Sequence, residues 1–217
     1  REQLSVVPVS GWDGPFRYGH ATAHRPTRAA ETLASDSEGP SLLVARGVLT
    51  YDECAAWRRL ADANGFELQR HAATKRTAHR ENGRIAFTDH ELAVRLWERL
   101  REWVPTHVDG KAVTGLNSNF RLYKYEVGQR FGPHIDESNR LSPRSATVMT
   151  VLVYLNGGVE GGETVFYEGR KVLLAFSPSA GAALVHAHGA RCRTHEGAQV
   201  RRGSKFVMRT DVVAESS

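Results

Sequence analysis

The chain has 217 residues, 41% of them hydrophobic, enough for a sizeable buried core. Lys and Arg number 29 against 24 Asp and Glu, with no long basic run, which disfavours a dedicated nucleic-acid surface. No stretch approaches the roughly 20 apolar residues of a membrane-spanning helix, and two cysteines, Cys54 and Cys192, are too few for a disulfide framework and suit reduced thiols in a cytoplasmic protein.

Three textures follow along the chain, and together they read as one domain. Residues 1–40 carry Gly, Pro, Ser and Thr with weak hydrophobic periodicity, which predicts an extended arm with a short strand near Leu4–Val9. Residues 41–116 form a helix-rich support. A strand-like run at Ser41–Val48 precedes Thr50-Tyr-Asp-Glu53, a capping box that starts a helix reaching about Asn64, with Gly65 as a left-handed stop. A polar stretch, Arg70–Arg84, reads as a hairpin or mobile loop with its turn at Asn82-Gly83. A second capping box, Thr88-Asp-His-Glu91, opens a helix whose apolar stripe is Leu92, Leu96, Leu100 and Trp103, stopped by Pro105.

From residue 117 to 213 the pattern turns to short β runs separated by Gly and Pro: Asn119–Val127, Thr147–Leu155, Thr164–Tyr167, Lys171–Phe176, Ala182–His186, Arg193–Ala198 and Lys205–Val212. Such spacing predicts a sandwich or jelly roll, so the fold class is mainly β with bracing helices.

Within that half, His134-Ile135-Asp136 places an imidazole and a carboxylate on one face of an extended strand. The pair can supply two ligands of a two-histidine, one-carboxylate facial triad, the arrangement that holds iron(II) and leaves positions open. The third ligand must come from a distant strand, and His186, His188 and His195 are the candidates. Lys205, ten residues beyond His195, favours the last: a strand, a turn at Arg201-Arg202-Gly203 and a returning strand would carry its ammonium into the same barrel. A cation there suits the far carboxylate of a dicarboxylic keto acid whose other end chelates the metal. Tyr125 and Tyr123 are candidate hydroxyl donors to that carboxylate.

Three segments, in order, carry a family resemblance. They are Tyr123-Lys-Tyr-Glu-Val-Gly-Gln-Arg-Phe-Gly-Pro-His134-Ile-Asp136, Val153-Tyr-Leu-Asn-Gly-Gly-Val-Glu-Gly-Gly-Glu-Thr-Val-Phe166 and His195-Glu-Gly-Ala-Gln-Val-Arg-Arg-Gly-Ser-Lys205-Phe-Val-Met-Arg209. Together they resemble the catalytic domain of prolyl 4-hydroxylase-type 2-oxoglutarate, iron(II)-dependent dioxygenases. The resemblance covers about residues 117–213 and reaches the helical half only in general layout. It implies a double-stranded β-helix, iron(II) on His134, Asp136 and His195, 2-oxoglutarate anchored by Lys205, and dioxygen as oxidant. It also implies ascorbate as an auxiliary reductant. Gly161-Gly162-Glu163-Thr164 would then be a structural turn into a core strand. The expected reaction is oxidation of a C–H bond, most simply hydroxylation, with release of succinate and carbon dioxide.

The prime substrate is less legible. Related enzymes are expected to close a loop over it near residues 70–84. Arg80, Arg84, Arg121 and Arg209 are candidates to grip a carboxylate. The arginine surplus points to an acidic or amino-acid-like small molecule, with a peptidyl substrate or a secondary metabolite as alternatives. Three rival functions use the same residues: a nucleic-acid demethylase of the same superfamily, a non-catalytic metal- or ligand-binding jelly roll, and a zinc hydrolase. Lys205 gives each of the last two no purpose, and its spacing from His195 fits the prolyl-hydroxylase type better than the first. Oligomeric state is not written in the sequence.

Overall fold

The computed structural model describes Val6 and residues 29–37, 39–74 and 77–216. The strand expected near Leu4–Val9 lies outside the described residues except for Val6, which is fully buried. The end of the expected arm is no arm: it forms an antiparallel hairpin, β1 (Ala29–Asp36) and β2 (Gly39–Arg46). Then come α1 (Tyr51–Asn64), a second hairpin of β3 (Glu67–His71) and β4 (Arg80–Thr88), α2 (His90–Leu100), and the short β5 (His107–Val108) and β6 (Lys111–Leu116). The β-rich half holds β7 (Asn119–Tyr125), β8 (Phe131–His134), β9 (Ser145–Tyr154), β10 (Glu160–Gly161), β11 (Thr164–Glu168), β12 (Lys171–Phe176), β13 (Ala183–Ala187), β14 (His195–Gly197), β15 (Val200–Arg202) and β16 (Lys205–Glu215).

Two runs of four neighbouring strands, β13-β9-β16-β7 and β8-β14-β11-β12, are joined through β4 into one curled sheet. This is the double-stranded β-helix, and all its pairings are antiparallel. Period-two alternation sorts the side chains of the first run. Phe120, Leu122, Val151, Val153, Val185, Phe206 and Met208 pack with α1 and α2 in one cluster. Their alternates, including Tyr123, Tyr125, Thr150, His186, Lys205 and Arg209, point into the barrel or its mouth and line the site.

The capping box of α1 forms as expected: Thr50 Oγ1 accepts from Glu53 N at 3.1 Å, and Glu53 Oε2 accepts from Thr50 N at 2.9 Å. Gly65 ends the helix at positive φ (73°), but its ψ of 161° is extended rather than left-handed helical. For α2 the cap is Asp89, not Thr88; its carboxylate accepts from Leu92 N at 2.8 Å, one position later than the capping-box register. Leu92, Leu96 and Leu100 are fully buried as the stripe predicts. The helix stops at Leu100 through a turn that carries Trp103, before Pro105 is reached.

One charged side chain breaks that apolar face. Arg99 reaches Glu53 of α1 through two hydrogen bonds of 2.8 Å and donates to the Val48 carbonyl. Glu53 also accepts from Val6 N, so a buried ion pair ties both helices to Val6. Asn82-Gly83 is not a turn but lies inside β4, and the reversal falls between His71 and Arg80. Gly83 is required there because a Cβ would lie 2.7 Å from Phe66 Cβ. The glycine pair before Thr164 closes β10 rather than forming the expected turn: at Gly161, φ is 75° and a Cβ would meet the Gln199 carbonyl oxygen at 2.1 Å.

Candidate metal and co-substrate site

His134 ends β8 and pairs directly with His195, the first residue of β14. Asp136 lies just past the end of β8, yet the alternation continues: Ile135 is exposed and Asp136 buried. Asp136 is held by its backbone, whose N–H donates to Cys192 Sγ and whose carbonyl accepts from Gly189 N. Metal-capable atoms of His134, Asp136 and His195 fall within 4.8 Å of one another. The Nε2 atoms of His134 and His195 lie 3.7 and 3.9 Å from the Asp136 carboxylate.

Both imidazoles are oriented from behind. His134 Nδ1 is 2.8 Å from the Gly132 carbonyl oxygen and His195 Nδ1 is 3.0 Å from that of Arg193. A carbonyl only accepts, so each Nδ1 carries the proton and each Nε2 turns its lone pair towards Asp136. Phe131 stacks on His134 and Phe166 on His195, which fixes the ring planes. Burial, helped by the neighbouring His195, pulls His134 down to about 4, and burial also lowers His195, so both are neutral ligands at pH 7. Burial works against ionisation of Asp136, but the Arg209 guanidinium beside it wins and holds the carboxyl well below its usual range. Its Oδ2 accepts from Thr150 Oγ1 at 2.6 Å and pairs with Arg209 Nη2 at 3.2 Å.

Lys205 is 4% exposed and faces the same cavity. It pairs in register with Tyr125, and its Nζ lies 5.5 and 5.6 Å from the ring centres of Tyr125 and Tyr154. Among the described residues its hydrogen bond is a long one, 3.4 Å to Thr164 Oγ1, and no carboxylate lies within ion-pair distance. Burial lowers its pKa from 10.5 to about 8, with Glu163 acting weakly the other way. A buried ammonium without an anion is costly. Together with two neutral imidazoles, a carboxylate and open space between, this donor set suits a divalent metal chelated by an anionic ligand whose far end is also anionic.

The other expected residues divide. Tyr123 and Tyr125 both line the inner cavity. Arg80 also lines it, lying 4.7 Å over the rings of both Tyr123 and Phe131. Arg209 lines it too, but its charge is committed to Asp136 and Asp211. Arg84, opposite Tyr123, and Arg121, 4.0 Å from Asp211, share the face of Tyr123 by pairing and alternation but are not among the lining residues. His188 is satisfied by the hydroxyls of Thr147 and Thr150. His186 Nε2 lies 3.6 Å from the Asp136 carboxylate, slightly closer than the ligand histidines. Thr164, expected to be merely structural, is a buried hydroxyl shared between Tyr154 and Lys205. Thr150, Phe131 and Phe166 were not foreseen either. Thr150 and Phe166 meet the site only through cross-strand register, which leaves no spacing signal along the chain, whereas Phe131 stands on β8 three residues before His134.

Comparison with known proteins agrees with this geometry. Residues 120–210 match the family model of the 2OG-Fe(II) oxygenase superfamily. No curated protein sequence matches the chain. Among solved structures, the viral collagen prolyl hydroxylase of Paramecium Bursaria Chlorella virus-1, in its 2OG complex, superposes with a TM-score of 0.61 at 19% identity, over 82% of this chain and 98% of that one. A Pseudomonas putida prolyl-4-hydroxylase gives 0.58 at 17% identity over 82% and 94%. A Trichoplax adhaerens prolyl hydroxylase, solved with a hypoxia inducible factor peptide fragment, gives 0.58 at 18% identity over 79% and 83%. Residues 120–210 are thus similar to the 2OG-Fe(II) oxygenase superfamily, and the chain has the double-stranded β-helix fold seen in prolyl 4-hydroxylases.

Proposed function

We propose that the protein hydroxylates a C–H bond of a peptidyl or carboxylate-bearing small-molecule substrate, with iron(II) on His134, Asp136 and His195 and 2-oxoglutarate anchored by Lys205. The observation that carries this is the convergence of two pre-oriented Nε2 atoms and one ionised carboxylate, with a buried ammonium lacking an anion in the same cavity. Iron(II) with 2-oxoglutarate supplies the activation of dioxygen, with succinate and carbon dioxide as co-products. The chain's own residues hold and orient. Lys205 and the Thr164 hydroxyl grip the far carboxylate, with Tyr125 beside them; Gly132 and Arg193 carbonyls keep the imidazoles in one tautomer; Thr150 and Arg209 fix the Asp136 carboxylate. The apolar and aromatic lining excludes water from the reacting centre.

An outer cavity of about 410 Å³ opens on the triad and is lined by His71, Thr77, Arg80, Phe131 and Ile135. It is the proposed substrate mouth, and the β3–β4 hairpin forms its rim. Arg80 is the proposed grip for a substrate carboxylate, since Arg209 is engaged. The Trichoplax neighbour carries a peptide, which supports an extended substrate at this mouth. Ascorbate as an auxiliary reductant, a cytoplasmic location suited to the two free thiols, and one domain spanning the chain complete the proposal.

Anaerobic titration of the iron(II)-loaded protein with 2-oxoglutarate tests it. A weak visible charge-transfer band should rise with 2-oxoglutarate and be missing in His134→Ala and His195→Ala. Bound iron without a band would leave a metal-binding jelly roll that does not use the keto acid.

A further inference from the structure

Behind the triad lies a second donor cluster, which shares His195 with the triad and adds Cys192 and His186, two residues that the dioxygenase reaction does not use. Cys192 Sγ is 3.8 Å from His186 Nδ1 and 3.8 Å from His195 Nδ1, and the three donors fall within 4.8 Å of one another. Tetrahedral zinc with a thiolate and imidazoles, at about 2.3 Å and 2.0–2.1 Å, sets neighbouring sulfur and nitrogen about 3.6 Å apart. The two sulfur–nitrogen separations are therefore within a few tenths of an ångström of those in a zinc site.

His186 supplies an independent sign. It is 1% exposed, and its Nε2 has no hydrogen-bond partner. With Nδ1 3.3 Å from the Ala187 carbonyl, the proton sits on Nδ1, and the bare Nε2 lone pair faces the Asp136 carboxylate at 3.6 Å. A metal on Nδ1 reverses this: the proton moves to Nε2, which then becomes a donor aimed at Asp136, the usual support of a metal-bound histidine. Access exists as well. A cavity of about 360 Å³ lined by Asp36, Ser41, Arg191 and Arg193 reaches Cys192 from the side away from the triad. Its two arginines are paired, Arg191 with Asp36 and Arg193 with Glu168, each at 2.9 Å, so their charge does not bar a cation.

We propose that Cys192, His186 and His195 form a second, thiophilic metal site for a zinc-class divalent cation, and that filling it disables the triad. As the sulfur–metal bond forms, the thiol proton leaves to solvent, and water takes the remaining coordination position. A neutral imidazole has one lone pair. When His195 uses Nδ1 for this metal, its proton moves to Nε2 and the triad loses a ligand. The two sites are mutually exclusive through one ring. The metal site stands without the triad assignment, whereas its inhibitory effect rests on that assignment.

Cobalt(II), a spectroscopic stand-in for zinc, is titrated anaerobically into the wild type and variants. A near-ultraviolet thiolate-to-cobalt band should saturate at one cobalt per chain. It should persist in His134→Ala and in Cys54→Ser and be lost in Cys192→Ser. Because the chain has two cysteines, Cys54→Ser localises the band even if Cys192→Ser fails to fold. A folded wild type without the band, or a band lost in Cys54→Ser, overturns the site. In a second arm, zinc is added to the iron(II)–2-oxoglutarate complex. Cys192→Ser should need about tenfold more zinc than the wild type to bleach the visible band; equal sensitivity overturns the exclusion. Absence of that visible band in the zinc-free wild type would sink the dioxygenase assignment instead, and the cobalt result would stand on its own.

Discussion

Lys205 makes a quantitative test of the co-substrate site. Its pKa falls from 10.5 to about 8 because burial disfavours the ammonium, so below pH 8 the empty protein holds a charge the unfolded chain would carry in water. At about 1.4 kcal/mol per pH unit of displacement, the penalty is somewhat over 3 kcal/mol. The sign follows from proton counting. Between pH 8 and 10.5 the unfolded state binds more protons at this position, so its contribution to stability improves as pH rises, and the penalty is full below pH 8. Lys205→Met keeps the length of the side chain and removes the charge. In urea denaturation at pH 7 without ligand, the variant should be more stable than the wild type by up to about 3 kcal/mol, less about 1 kcal/mol for the lost Thr164 hydrogen bond. The gap should close on approach to pH 10. Saturating 2-oxoglutarate with metal should stabilise the wild type and leave the variant unchanged. A variant less stable than the wild type at every pH, or one still stabilised by 2-oxoglutarate, would refute the assignment of Lys205 as an anion-seeking cation.

Other outcomes can be checked separately. Asp136→Ala should lower succinate formation at least about 100-fold, since changes one layer further out already cost about 10–100-fold at metal sites; unchanged turnover would remove the triad. Thr164→Val should weaken 2-oxoglutarate binding roughly 2- to 10-fold in the visible-band titration, the worth of one hydrogen bond. Glu53→Gln should cost about 3–5 kcal/mol in urea denaturation, because it strands the buried Arg99. Burial opposes ionisation of Glu53, but Arg99 outweighs it and holds the pKa below 4.5. Its stabilisation is therefore present above about pH 4.5 and lost as pH falls below, an acid loss that Glu53→Gln should abolish. Leu96→Ala should cost about 2–5 kcal/mol in the same assay, as the residue is fully buried between helix and sheet.

The site was legible where its parts are local in the chain. His134 and Asp136 sit two residues apart, and strand alternation alone puts them on one face. The ten-residue step from His195 to Lys205 does carry the ammonium back into the barrel, but through β14, β15 and the start of β16, with Arg201 and Arg202 in β15 rather than in the expected turn. Helix α1 was legible because a capping box is a four-residue pattern, and α2 because its stripe repeats on one face. Asp89 displaced Thr88 as cap because both residue types cap well and only the chain's entry angle decides between them. Asn82-Gly83 misled because the same pair that favours a hairpin turn also serves where a strand must pass close to Phe66.

What the amino-acid order determined by itself is therefore the periodicity: which residues alternate inward, where helices start, and which donors share a strand. What only the tertiary structure decided is register between strands remote in sequence. That register sets His195 opposite His134, Lys205 opposite Tyr125, and Arg209 against Asp136. It also places Cys192 and His186 behind His195. The physical reason is that alternation fixes a side chain's face with two residues' information, whereas cross-strand pairing depends on the packing of the whole barrel.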